Sequence, residues 1–128
     1  MRIFNFLLLL FVAMTMFIQC TSKEKQIHKE LTKKAVELNR STPIVLEQHT
    51  RFDSAAVTSQ NVFQYYYTIT NIDDPVELLK QQREEMILAM EEIYATDRSL
   101  QYFIQHEILM EYIYRDTLQN IIDVIRSE

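Results

Sequence analysis

Hydrophobic and polar positions divide the chain into segments with different periods. Ile3 to Ile18 is almost wholly apolar, broken only by Asn5 and Thr15, and has no polar face. From Ser22 to Asn39 the apolar residues Ile27, Leu31, Ala35 and Leu38 recur at helical spacing, which predicts a helix ended near Asn39 and before Pro43. Residue types then change. Ile44-Val45-Leu46 and Thr50-Arg51-Phe52-Asp53 precede a patch of small and polar residues, Ser54 to Asn61. Val62 to Thr70 follows, dense in aromatic and β-branched residues. In that strand Phe63, Tyr65, Tyr67 and Ile69 share the more apolar face, and Gln64, Tyr66, Thr68 and Thr70 share the other.

Asp73-Asp74-Pro75-Val76-Glu77 is a helix start, with Asp74 at the N-cap and Pro75 at the first helical position. Val76, Leu79, Met86, Ile87, Met90, Ile93 and Tyr94 then mark one face of a helix running to about Ala95. Thr96 or Asp97 can cap a short helix carrying Leu100, Phe103 and Ile104. Ile108–Arg115 and Asn120–Arg126 read as a closing hairpin. The predicted order is α-β-β-α-(α)-β-β. This is an α+β domain over 26–128, with about four antiparallel strands and helices on one face. The chain divides into a signal peptide at 1–19, an anchor and short linker at 20–25, and that domain.

The apolar N-terminal run is short for a membrane-spanning helix of about 20 residues and slightly long for a signal-peptide core of about 7–15. It ends at Phe17-Ile18-Gln19-Cys20 and gives way at once to Thr21-Ser22-Lys23-Glu24-Lys25. A lone Cys in this position resembles a bacterial lipoprotein signal. Where that pattern prefers Leu three residues before the Cys and a small residue just before it, this chain has Phe17 and Gln19. The resemblance implies cleavage before Cys20, diacylglycerol on its sulfur and an acylated amino group, so the membrane is met through an N-terminal lipid. Retention of the run as a signal anchor is the alternative. Ser22, rather than Asp, two residues after Cys20 favours export to the outer membrane, with the domain facing the periplasm.

A second resemblance rests on Leu38-Asn39 followed by Pro43, on Thr50-Arg51-Phe52-Asp53-Ser54, on Tyr65-x-Tyr67 and on Tyr112-x-Tyr114-x-Asp116. Together these are similar to a group of small exported bacterial proteins built as helix, hairpin, helix and C-terminal hairpin. The match covers residues 31–126 and implies an envelope-associated protein. The final turn departs from the group's Asp-x-x-Gly form, since Gln119 stands where Gly would.

Composition narrows the chemistry. There is no Gly among 128 residues, which excludes glycine-rich phosphate loops, dinucleotide fingerprints and nucleophile elbows. One Cys excludes an internal disulfide and a multi-cysteine zinc site. Without Gly, turns must be made by Asn, Asp, Ser, Thr or Pro, and these gather at 39–43, 53–61, 71–75, 96–99 and 116–120. Charge is unevenly placed: residues 20–40 hold six basic and three acidic side chains, and 41–128 hold six and fifteen. A basic stalk beneath an acidic body suits anionic headgroups and argues against nucleic acid as a partner.

His28, His49 and His106 lack zinc-hydrolase spacing, and no sequence context supports a nucleophile, so neither a metal, a cofactor nor a catalytic residue is expected. Arg51 and Asp53 alternate onto one strand face, where they can orient a partner-binding guanidinium or simply pin the hairpin. Tyr66, on the more polar strand face, is the aromatic best placed for contact. The expected function is a lipid-anchored, non-enzymatic envelope protein that binds another envelope component through Arg51, Asp53 and Tyr66. An inhibitor or immunity-type protein with an acidic partner-binding surface is the alternative.

Overall fold

The computed structural model describes the backbone of residues 1–127 and the side chains of 1–15 and 22–127; the lipidation expected at Cys20 lies outside the described side chains. Nine elements follow one another. They are α1 (Arg2–Asn39), β1 (Ile44–Glu47), β2 (Thr50–Val57), β3 (Phe63–Ile69), α2 (Pro75–Thr96), a 3-10 turn (Arg98–Leu100), α3 (Gln101–Gln105), β4 (Met110–Arg115) and β5 (Ile121–Arg126). The α+β class is as the hydrophobic pattern predicts. The sheet differs from the expectation of about four antiparallel strands: it has five, in the order β1-β2-β3-β4-β5, and β3 and β4 run parallel. The 22 residues of α2 carry the chain about 33 Å back along the sheet. It therefore re-enters beside the start of β3, and a parallel pair results.

The added strand comes from Ile44–Glu47, which pairs with the first residues of β2. Ser54–Val57, expected as loop, continues β2 because a bulge at Asp53 resets the pairing between Phe52 and Ser54. The bulge also puts Phe52 and Ala55 on the same inner face, where both are buried.

That face is the core. Leu31 and Ala35 of α1 pack on Phe52, Ala55, Phe63, Phe103 and Met110, and Leu79 of α2 packs on Ile69, Tyr114 and Ile125. Tyr67 and Tyr112 lie between the two clusters and join them. Both long helices therefore cover one side of the sheet, as expected. Residues 2–15 of α1 are exposed, and all of them but Arg2, Asn5 and Thr15 are apolar. Among the described residues no helix is long and apolar enough to cross a membrane.

The capping expected of α2 is present: the Asp74 carboxylate accepts from Glu77 N at 3.0 Å, with Pro75 opening the helix. Asp97 caps the next turn by accepting from Ser99 N at 2.8 Å. Val76 and Ile93, expected on the inward face of α2, are instead 58% and 50% exposed. They sit at the two ends of a helix longer than the sheet beneath it.

Candidate functional site

The two sides of the sheet offer different chemistry. The side without helices carries a continuous polar network. In the register, Arg51 of β2, Thr68 of β3 and Arg115 of β4 lie abreast, and the bulge puts Asp53 among them. The Asp53 carboxylate takes Arg51 Nε at 2.6 Å on one oxygen, and the Thr68 hydroxyl and Arg115 Nη2 (3.4 Å) on the other. Burial raises the Asp53 pKa, but the Thr68 and Arg51 hydrogen bonds and the two guanidinium charges outweigh it, so the carboxyl titrates below its ordinary range. Thr68 is 1% exposed because this network satisfies its hydroxyl.

The Arg115 guanidinium also stacks over the Tyr66 ring, 4.8 Å from its centroid. Tyr66 Oη donates to Gln64 Oε1 at 3.0 Å, and Gln64 Nε2 donates to Glu111 Oε1 at 3.0 Å. Arg126 Nε completes the row by donating to Glu111 Oε2 at 2.8 Å. All three partner-binding residues expected from sequence, Arg51, Asp53 and Tyr66, are thus brought into one network on one face. Arg115, which links them, went unnoticed in the sequence; its position two residues from Ile113 on a Tyr-x-Tyr strand was the available signal.

The helix-covered side contains a groove. α1 and α2 each grip the sheet at different places, and between them lies an open channel of about 580 Å³. Its floor is aromatic: Tyr65 and Tyr112 stack with centroids 5.0 Å apart and planes 6° from parallel, beside Phe63 and Tyr67. Its walls are Lys34 and Leu38 on α1 and Met90 and Ile93 on α2. Burial pushes the Tyr65, Tyr67, Tyr112 and Tyr114 hydroxyls well above the ordinary phenol pKa, and neighbouring tyrosines add to it. Met90 also borders a second groove of about 500 Å³ against Val124 and Ile125 of β5, so the last turns of α2 stand off the sheet on both flanks.

The three histidines serve separate places. His28 Nδ1 lies 2.9 Å from Asn61 Oδ1, His49 Nδ1 lies 3.2 Å from Thr70 O, and His106 packs on the Tyr102 ring at 4.4 Å. Among the described residues no three His, Cys, Asp or Glu side chains converge as a metal site.

No curated protein matches the chain by sequence. Solved structures share its fold. A Pseudomonas aeruginosa protein described as secreted superimposes with a TM-score of 0.72 at 12% identity, covering 83% of this chain and 92% of the other. The pilotin of the Vibrio vulnificus type II secretion system gives a TM-score of 0.59 at 14% identity, over 83% and 91% of the two chains. The type II secretion pilotin of Vibrio cholerae gives 0.58 at 13% identity, over 84% and 94%. At these identities the likeness is one of fold. By sequence, residues 26–122 match the family described as a domain of unknown function, DUF8479, and the chain belongs to that family.

Proposed function

We propose that this protein is a lipid-anchored, non-enzymatic component of the bacterial cell envelope that binds another envelope protein, in the manner of a secretion-system pilotin, through the groove between α1 and α2. The observation that carries this reading is the aromatic floor left open between two helices. Leu38 and Ile93 remain 38% and 50% exposed at its rim, where a monomer gains nothing from them. The floor strands β3 and β4 are interior, each paired on both sides, so no backbone donor or acceptor is on offer. A partner must therefore satisfy its own backbone and contribute side chains, which describes an amphipathic helix. Neighbours that share the fold and act as pilotins support a protein partner.

The test is crosslinked recovery of the envelope partner with Leu38→Asp and Ile93→Asp variants. Both positions are exposed, so the fold is retained while partner recovery is lost; unchanged recovery rejects the groove. Mass analysis of the membrane-extracted protein beside Cys20→Ser tests the anchor.

A second reading places the partner on the open face, at Arg51, Asp53 and Tyr66. It is supported by their convergence on the one side no helix covers. A charge swap at Arg51 that spares folding and abolishes partner recovery, with Leu38→Asp silent, favours it.

A further inference from the structure

The end of the domain from which α1 emerges is fastened in a way that fixes where the domain stands. Asn61 closes the β2–β3 turn at φ 61° and reaches across to α1. Its Nδ2 donates to Glu24 O at 3.2 Å, and its Oδ1 lies 2.9 Å from His28 Nδ1, one turn further on. The turn residues Thr58-Ser59-Gln60-Asn61 carry no charge, and Ser59 and Gln60 are exposed. At the same level α1 exposes Lys23, Lys25 and Lys29 beside Glu24 and the half-buried Glu30, and the loop entering β4 exposes Glu107. The opposite end, where β3 and β4 finish, carries Asp73, Asp74 and Asp116 together with Arg51 and Arg115.

Only Thr21, Ser22 and Lys23 separate Cys20 from Glu24. Even fully extended, that link reaches no more than about 14 Å, and as continuing helix it rises about 6 Å. Both distances are comparable with the ~8 Å over which charges act at physiological ionic strength. A lipid on Cys20 would leave the domain no tether on which to swing.

We propose that this end is a membrane-seating surface: the β2–β3 turn and the Lys23, Lys25 and Lys29 ammonium groups rest among anionic phospholipid headgroups. The domain is then held upright with its groove and open face at fixed heights above the bilayer. The proposal rests on the lipid anchor proposed above. The bilayer is the occupant because the anchor brings it there, and because the exposed α1 lysines Lys23, Lys25 and Lys29, which outnumber Glu24 and Glu30 beside them on the helix, offer cations to anionic headgroups.

The experiment uses the processed full chain in vesicles of phosphatidylethanolamine and phosphatidylglycerol. With the Cys20 sulfur alkylated, a cysteine introduced by Gln60→Cys or Leu118→Cys is the sole site for a fluorophore. Leu118 is exposed on the β4–β5 turn at the far end. A quencher on the lipid headgroup should quench the label at 60 about threefold or more over that at 118. Replacing Lys23, Lys25 and Lys29 together by Gln should at least halve that difference. Equal quenching at the two positions, in protein whose mass includes acyl chains, overturns the seating and leaves the anchor intact. Quenching at 60 that ignores the Lys→Gln changes overturns the anionic-headgroup contact. Extracted protein without acyl mass overturns the anchor itself.

Discussion

Tyr65 and Tyr112 stand opposite each other on the parallel strands β3 and β4, their rings stacked 5.0 Å apart and 6° from parallel. The next pair along the register, Tyr67 and Tyr114, stacks in the same way at 5.0 Å and 15°. Four phenols are thereby held in the protonated form, each with its pKa raised above 10.0 by burial and then by its neighbours. Unfolded tyrosines release their protons near pH 10, so above that value the native state holds more protons than the unfolded one and stability falls with rising pH. The expected outcome is flat stability from neutral pH up to about pH 10 and cooperative unfolding beyond it. Phenolate absorbance should appear together with loss of circular dichroism; phenolate forming in still-folded protein would contradict the packing.

Asp53 is the hub of the open face, and its removal strands two guanidinium groups. The Arg115 side chain is only 21% exposed and its Nε is buried without a hydrogen-bond partner; among the described residues Asp53 Oδ2 is its one carboxylate contact. Asp53→Ala should destabilise by about 2–4 kcal/mol, read from denaturant unfolding, because a partly buried cation loses its counter-charge. Because the folded-state pKa lies below the unfolded value near 4, this contribution is present above about pH 4 and disappears as pH falls through the folded pKa. The difference between wild type and Asp53→Ala should therefore shrink in acid.

Asn39 ends α1 and also replaces a missing strand. Beyond the short β1, the outer edge of β2 has no strand partner at Ala55. The Asn39 amide fills the gap: Ala55 N donates to its Oδ1 at 2.7 Å, and its Nδ2 donates to Ala55 O at 2.9 Å. Asn39→Ala should cost about 1–3 kcal/mol by leaving both backbone groups unpaired. Asn39→Asp keeps the shape but loses the donor, and should fall between the two in thermal unfolding.

The β4–β5 turn is held by Asp116, whose carboxylate accepts from the backbone N–H groups of Leu118 and Asn120, both at 2.9 Å. Gln119 takes φ 70° there, a left-handed conformation that Gly adopts at no steric cost. A left-handed conformation costs a residue with a Cβ about 1–2 kcal/mol, only part of which Gly forfeits to chain entropy. Gln119→Gly should therefore raise stability by about 0.5–1 kcal/mol. A variant less stable than wild type would mean that the Gln119 side chain contributes packing.

Local chemistry alone marked the elements of this chain. Asp74-Pro75 starts α2, alternation sets the inner face of β3, and the spacing of Ile27, Leu31 and Ala35 seats α1. The absence of Gly told where turns would gather, and Asn61 and Asn71 do occupy left-handed positions, though Glu107 and Gln119 share that role. Those features depend on neighbours within a few residues, and so they are legible in order. Tertiary structure decided what depends on pairing between distant segments. The parallel β3–β4 register, the fifth strand and the bulge at Asp53 follow from how a long helix returns the chain, which no local pattern encodes. The same return opens the groove, because it seats α1 and α2 over different strands. It also aligns Arg51, Thr68 and Arg115 across three strands, turning an Arg-x-Asp pair visible in sequence into a network whose farthest member, Arg115, lies 62 residues from Asp53.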